Sequence, residues 1–143
     1  MKVFVTGGCG QVGSHVVELL LERGDQVLVI DNLATGRRDH LQDNKNLKVV
    51  IDTIADRELI NKLLGEFQPD VLIHTAASYK DPDDWYTDTI TNAVGGANLV
   101  QAAKSFNVKR FIYFQTSLCY GVKPLQQPIQ LDHPKFPANS SYA

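Results

Sequence analysis

Three glycines spaced three apart, Gly7, Gly10 and Gly13, follow Thr6 and a short apolar run, Val3-Phe4-Val5. Glycines in such a turn let the backbone reach a pyrophosphate with no Cβ in the way, and Gly13 lets a following helix pack close to the strand. A helix starting at Gln11-Val12 offers unpaired N–H groups and the positive end of its dipole to the same phosphates. A second apolar run, Val27-Leu28-Val29-Ile30, stops at Asp31. That carboxylate, roughly 20 residues past the turn, stands where it can accept hydrogen bonds from the hydroxyls of an adenosine ribose. Strand, glycine turn, helix, strand and acid, in that order, are the parts of a dinucleotide site. Asp31 also favours NAD over NADP, because it repels a 2′-phosphate at close range in a low-dielectric site. Arg37 and Arg38 oppose that preference unless they are solvated loop charges.

Residues so placed need a frame, and the pattern of strand and helix with short breaks supplies one. Such alternation signals a parallel sheet covered on both faces. Strands are expected at Lys2–Thr6, Gln26–Asp31, Leu47–Ile51, Val71–His74 and Arg110–Thr116. Helices are expected at Gln11–Arg23, with Val12, Val16, Leu19 and Leu20 on the apolar face and Gly24 as stop, and at Asp56–Phe67, with Asp56 as N-cap. A long helix is expected from about Trp85 to Phe106. Gly95-Gly96 inside it costs about 1 kcal/mol per glycine relative to alanine, which implies close packing or a local break. Prolines at 124, 128, 134 and 137 keep the stretch after Ser117 extended and irregular. The whole is one α/β domain over residues 1–143, a Rossmann-type doubly wound parallel sheet with strand order 3-2-1-4-5. Thr6, Asp31, Ile51–Thr53, His74–Ala77 and Thr116–Ser117 then end strands on one edge, where ligands bind in such sheets.

The bulk composition excludes several classes. A chain of 143 residues with 43% hydrophobic and 21% charged residues fits a soluble domain with a good core. A formal net charge of −2 gives no basic field for nucleic acid or for an anionic membrane. No apolar run approaches the ~20 residues that span a bilayer. Met1 leads straight into a core strand, so no signal peptide is expected, and two cysteines, Cys9 and Cys119, imply no disulfide framework. A reducing cytoplasm is the expected setting, and no metal-ligand cluster is expected.

The turn reads T-G-x-x-G-x-x-G, and with the run VTGGCGQVGSHVVELLLERGDQVLVIDNLATG it resembles the extended short-chain dehydrogenase/reductase superfamily. Within it, the resemblance is to the NAD-dependent nucleotide-sugar epimerase/dehydratase branch, UDP-glucose 4-epimerases above all. The resemblance implies NAD as cofactor, held by Gly7, Gly10, Gln11, Val12, Gly13 and Asp31. It implies that Asn32, Ala34, Thr35 and Gly36 wrap the adenosine ribose. Thr53 and Ile54 fall where the family holds the adenine amine with an aspartate before an aliphatic residue. Here Asp52 is one place early, and strand alternation points it the other way. Thr75, Ala76 and Ala77 match the small-residue turn that admits the cofactor, with Lys80 placed either toward the substrate or in solvent. His74 reads as a packed strand-end histidine, and Asn92 matches an asparagine that braces the site.

Thr116 matches the family threonine whose hydroxyl bonds the reacting sugar oxygen. Tyr142 matches the tyrosine of Y-x-x-x-K, which removes a proton from the sugar hydroxyl as hydride moves to the nicotinamide. The lysine of that motif would fall at position 146, past Ala143, the last residue of the sequence. It and the positive nicotinamide bring a phenol of pKa near 10 toward operating pH. The resemblance therefore implies the cofactor-binding part of a longer enzyme, without its sixth strand and sugar domain and inactive by itself. The implied reaction is C4 epimerisation of a nucleotide sugar, with a UDP-sugar favoured. A 4,6-dehydratase is disfavoured, because Ser117-Leu118 stand where those relatives carry an acidic pair. A carbonyl reductase of the same superfamily and a non-catalytic NAD(H) sensor or scaffold remain open. A homodimer is implied for the longer parent.

Overall fold

The computed structural model describes residues 1–81, 83–137 and 142. Five parallel strands, β1 (Lys2–Thr6), β2 (Gln26–Asp31), β3 (Leu47–Ile51), β4 (Val71–His74) and β5 (Arg110–Tyr113), form one sheet in the order β3-β2-β1-β4-β5. Register is set with Val3 opposite Val27 and Val71, and Val71 opposite Arg110, so the carboxyl ends of the strands share one edge. Fold class and strand order are as the alternating pattern predicts.

Alternation in β1 sorts the core into two layers. Val3 and Val5 turn to one face with Val27, Val29 and Ile73, against α1 (Gln11–Glu22). Phe4, Leu28, Ile30 and Leu72 turn to the other, against α2 (Arg57–Phe67) and α4 (Gly96–Ser105) through Ile60, Leu64 and Leu99. Asp56 caps α2 as expected, its carboxylate accepting from Leu59 N–H at 2.9 Å. Gly24, at φ +85°, ends α1 with its N–H bonded to Leu21 and that of Asp25 to Leu20.

Three expectations need correction. The buried face of α1 is Gly13, Ser14, Val17 and Leu20, while Val12 and Leu19 are 50% and 65% exposed. Gly13 must sit against the glycine turn, and that contact rotates the helix away from its most apolar stripe. The long helix is not uniform: α3 (Trp85–Asp88) passes through a π segment, Thr89–Gly95, into α4. Gly95 buries itself there, where a Cβ would stand 2.6 Å from Ile54 Cγ1, so close packing is the reason for that glycine. Finally, β5 stops at Tyr113 instead of Thr116. Phe114 N–H still reaches the His74 carbonyl, at 3.1 Å, but Thr116 already caps a 3₁₀ turn, Ser117–Tyr120.

Candidate functional site

A cleft of about 890 Å³ opens along the carboxyl ends of the strands. Its floor is the turn between β1 and α1. A Cβ on Gly13 would lie 2.1 Å from the Gly7 carbonyl oxygen, and one on Gly7, itself at φ +69°, 2.6 Å from Ala76 N. Both positions are closed to any side chain, and the backbone is left bare toward the cleft. Helix α1 has no side-chain cap and no acid in its first turn, so the amides beside Gln11, Val12 and Gly13 stay available to an anion.

Asp31 ends β2 and is 8% exposed. Its Oδ2 accepts from Cys9 N–H at 2.9 Å and its Oδ1 from Leu33 N–H at 2.8 Å. Each oxygen keeps lone pairs for a further donor, and two amides fix where they point. The loop after β2 folds back over the turn: Arg37 N–H and the His40 ring both bond the Cys9 carbonyl, at 3.0 and 2.9 Å. Burial, then the Asp31 charge, pushes the Cys9 thiol up to about 11, so it is a buried, inert thiol. Arg37 is paired with Asp39 and Arg38 with Asp43. Neither guanidinium borders the cleft, so both are surface loop charges.

Among the candidates beyond the turn and Asp31, the cleft is bordered by Asn32, Ala34 and Thr35, by Thr53 and Ile54, and by Thr75, Ala76 and Ala77. Gly36 does not border it and packs instead against the Cys9 backbone. Asp52 does border it, together with Thr53, contrary to the alternation argument. Strand β3 ends at Ile51, and the turn beyond it no longer alternates. Thr53 Oγ1 accepts from Ala55 N–H at 3.1 Å, and the Thr75 hydroxyl donates to the Thr6 carbonyl at 2.7 Å. His74 is buried at the end of β4, with Nδ1 2.8 Å from Thr6 Oγ1. Burial lowers its pKa to about 4, which keeps it neutral and structural.

Asn92 does not line the cleft. Its amide is spent on Ser78, donating to the carbonyl and accepting from the N–H, both at 2.8 Å, so it braces the loop after β4. That loop and α3 make the second wall: Tyr79, Lys80, Asp81, Asp84 and Thr87. Sequence reasoning passed over most of this wall, because the loop has no periodicity to flag it. His40 and Gln115 border the cleft as well and carried no signal. Thr116 is not in the wall; its Oγ1 accepts from Leu118 N–H at 3.3 Å, which leaves the hydroxyl proton free to donate. Tyr142 is in the wall, its ring 5.6 Å from that of Tyr79. Position 146, where the resemblance puts the motif's lysine, lies past Ala143, the last residue of the sequence. No His, Cys, Asp and Glu grouping that could hold a metal occurs among the described residues, and no helix among them is long and apolar enough to cross a membrane.

The bare glycine backbone, the uncapped helix and the oriented carboxylate fit a dinucleotide, pyrophosphate over α1 and ribose at Asp31. Comparisons with known proteins follow the same line. The NAD dependent epimerase/dehydratase family matches residues 3–143. A UDP-glucose 4-epimerase of Halalkalibacterium halodurans is 35% identical over 145 residues, covering 97% of this chain and 41% of its own length. The Bordetella bronchiseptica enzyme WbmH, solved in complex with NAD+, is 70% identical with a TM-score of 0.94, over 99% of this chain and 47% of that one. WbmG of the same organism, in complex with NAD and UDP, is 43% identical with a TM-score of 0.92, over 98% of this chain and 45% of that one. The chain thus spans less than half the length of these relatives.

Proposed function

The chain belongs to the NAD dependent epimerase/dehydratase family, and from that premise we propose that it binds NAD and serves C4 epimerisation of a UDP-sugar. The observation that carries the cofactor half is Asp31, buried, held by two amides and placed beside a glycine turn. Gly7, Gly10 and Gly13, with the amides beside Gln11 and Val12, would hold the pyrophosphate. Asp31, Asn32, Ala34 and Thr35 would hold the adenosine ribose, with Gly36 supporting their loop from beneath. Thr53 and Ile54 border the adenine end, and Thr75, Ala76 and Ala77 the nicotinamide end. When bound, the nicotinamide supplies a hydride acceptor that can return the hydride.

The chain's own residues supply proton handling. Tyr142 takes the proton of the C4 hydroxyl and later returns it. Thr116 donates its hydroxyl proton to the same oxygen and so holds the sugar in register. Asn92 acts at one remove, by fixing the loop that carries Tyr79. The relatives named for UDP-glucose and crystallised with UDP support a UDP-sugar as substrate. Assembly of the longer parent as a homodimer and residence in the reducing cytoplasm, suited to the free thiols of Cys9 and Cys119, belong to the same proposal.

Two measurements test it. Titration calorimetry should give tighter binding of NAD(H) than of NADP(H), and equal affinity overturns the cofactor assignment. Interconversion of UDP-glucose and UDP-galactose should be absent in the 143-residue chain by itself, and should be followed in the longer parent enzyme and in its Tyr142→Phe variant. A variant that keeps the full rate removes Tyr142 from the reaction.

A further inference from the structure

We propose that His133 is a positioning residue that clasps the proline-rich segment between Gly121 and Pro137 into a closed loop, and so fixes Thr116 relative to Tyr142, which borders the cleft. The inference rests on the catalytic reading of those two hydroxyls. They are joined by a long connection, and among its described residues no helix or strand follows Tyr120. Prolines at 124, 128, 134 and 137 donate no backbone hydrogen bond, so those four positions cannot help to fold it.

One of its N–H groups ends on a buried ring. His133 is 5% exposed and meets the Tyr120 ring edge-on, with centroids 5.5 Å apart. Leu125 N–H donates to His133 Nε2 at 2.9 Å, and His133 Nδ1 lies 2.6 Å from the Pro134 carbonyl. Just beyond, Phe136 N–H donates to the Cys119 carbonyl at 3.0 Å, and Gly121 packs on the Phe136 backbone. Cys119 belongs to the turn that Thr116 caps, and Phe136 is six positions before Tyr142. The bond between them therefore shortens the tether that links the two hydroxyls.

The clasp has one chemical requirement. Leu125 N–H can donate only to an unprotonated Nε2, so Nδ1 must carry the ring proton and give it to Pro134. A protonated ring would set a second N–H against that of Leu125 and open the loop. Tyr120 is the titratable group packed on the ring from the preceding turn; Asp132 and Lys135 flank it along the chain, with Lys123 further on.

Nitrogen-resolved NMR of the protein at pH 7.5 should show His133 protonated at Nδ1 alone. Exchange of the Leu125 and Phe136 amides at pH 7.5, corrected for the intrinsic rate, should be at least tenfold slower than in His133→Phe, which keeps a ring against Tyr120 but offers Leu125 no acceptor. In His133→Gln, whose amide oxygen can still accept from Leu125 N–H, part of that protection should return. Cross-relaxation between the Tyr79 and Tyr142 rings should vanish in His133→Phe. An Nε2–H tautomer, wild-type protection in His133→Phe, no recovery in His133→Gln, or a ring contact that survives in His133→Phe overturns the inference. No described residue from 117 to 137 borders the cleft, so His133→Phe should bind NAD within about twofold of the wild type. Failure of the wild type to bind NAD overturns the functional reading, while the NMR outcomes still decide the clasp.

Discussion

Asp31 concentrates the cofactor argument, because both of its oxygens are aimed by backbone amides before any ligand arrives. Truncation to alanine removes a charged acceptor whose bonds are worth about 1.5–3 kcal/mol each. Asp31→Ala should therefore weaken NAD about tenfold or more in calorimetry and narrow the gap to NADP, because the repulsion of a 2′-phosphate goes too. A gap that stays unchanged would move the selectivity elsewhere. His74 makes a prediction about stability. Its folded pKa of about 4 lies below the unfolded value of 6.5, so the unfolded chain takes up the proton first as pH falls. Stability should be whole above pH 6.5 and fall on the order of 3 kcal/mol by pH 4. Thermal unfolding across that range checks it: His74→Asn should start lower and decline less, and parallel curves would acquit the imidazole. Asp31 and His74 were both legible in sequence as strand-ending residues. His40 and Gln115 were not, because a residue that reaches the cleft from an aperiodic loop leaves no pattern to read.

Elements were legible where a single requirement dominated. The bounds of β1 to β4 follow from apolar runs closed by polar or glycine breaks, and Asp56 announces α2 by its capping chemistry. The buried face of α1 departs from its most apolar stripe because Gly13 must lie against the Gly7 carbonyl, a steric demand that apolar periodicity does not encode. The π segment left no trace in composition, but its consequence is clear. It lets one continuous helix send Thr87 and Thr91 to the cleft, Asn92 to Ser78, and Gly95 and Asn98 toward the β3–α2 connection. Asn98 adds a tie there, donating to the Ile54 and Ala55 carbonyls at 3.1 and 2.9 Å. Gly95→Ala tests this packing. Helix propensity would gain up to about 1 kcal/mol, but forcing Ile54 aside costs about 1–3 kcal/mol. Denaturant unfolding should show a net loss, and Ile54→Val on top of it should recover part. A stabilised Gly95→Ala would mean that Ile54 has room to move, and that the cleft wall it forms is soft.

At the scale of the molecule, the sheet is asymmetric. Strand β1 is paired on both sides and buried, whereas β5 pairs with β4 alone and leaves Ile112, Tyr113 and Phe114 between 37% and 57% exposed. The sequence of β5 is that of a central strand, apolar on both faces, and the described part of the following segment folds around His133 without joining the ladder. The outer N–H and C=O groups of a short, apolar, β-rich strand are a template for another chain, with no edge proline and no inward charge to blunt them. Arg110, at the start of β5, is the one charge it carries, and it stands at the end away from the cleft. The 143-residue chain should therefore self-associate through β5 at micromolar concentration, as an edge-paired dimer or soluble aggregates in light scattering. Tyr113→Lys places a charge in mid-edge and should shift the population to monomer without moving NAD affinity, since Tyr113 does not border the large cleft. A wild-type chain that stays monomeric and thermally robust would show that β5 is protected by some other contact. Association that Tyr113→Lys leaves untouched would place the contact on another apolar surface, with Val100 of α4, 56% exposed, the next to vary.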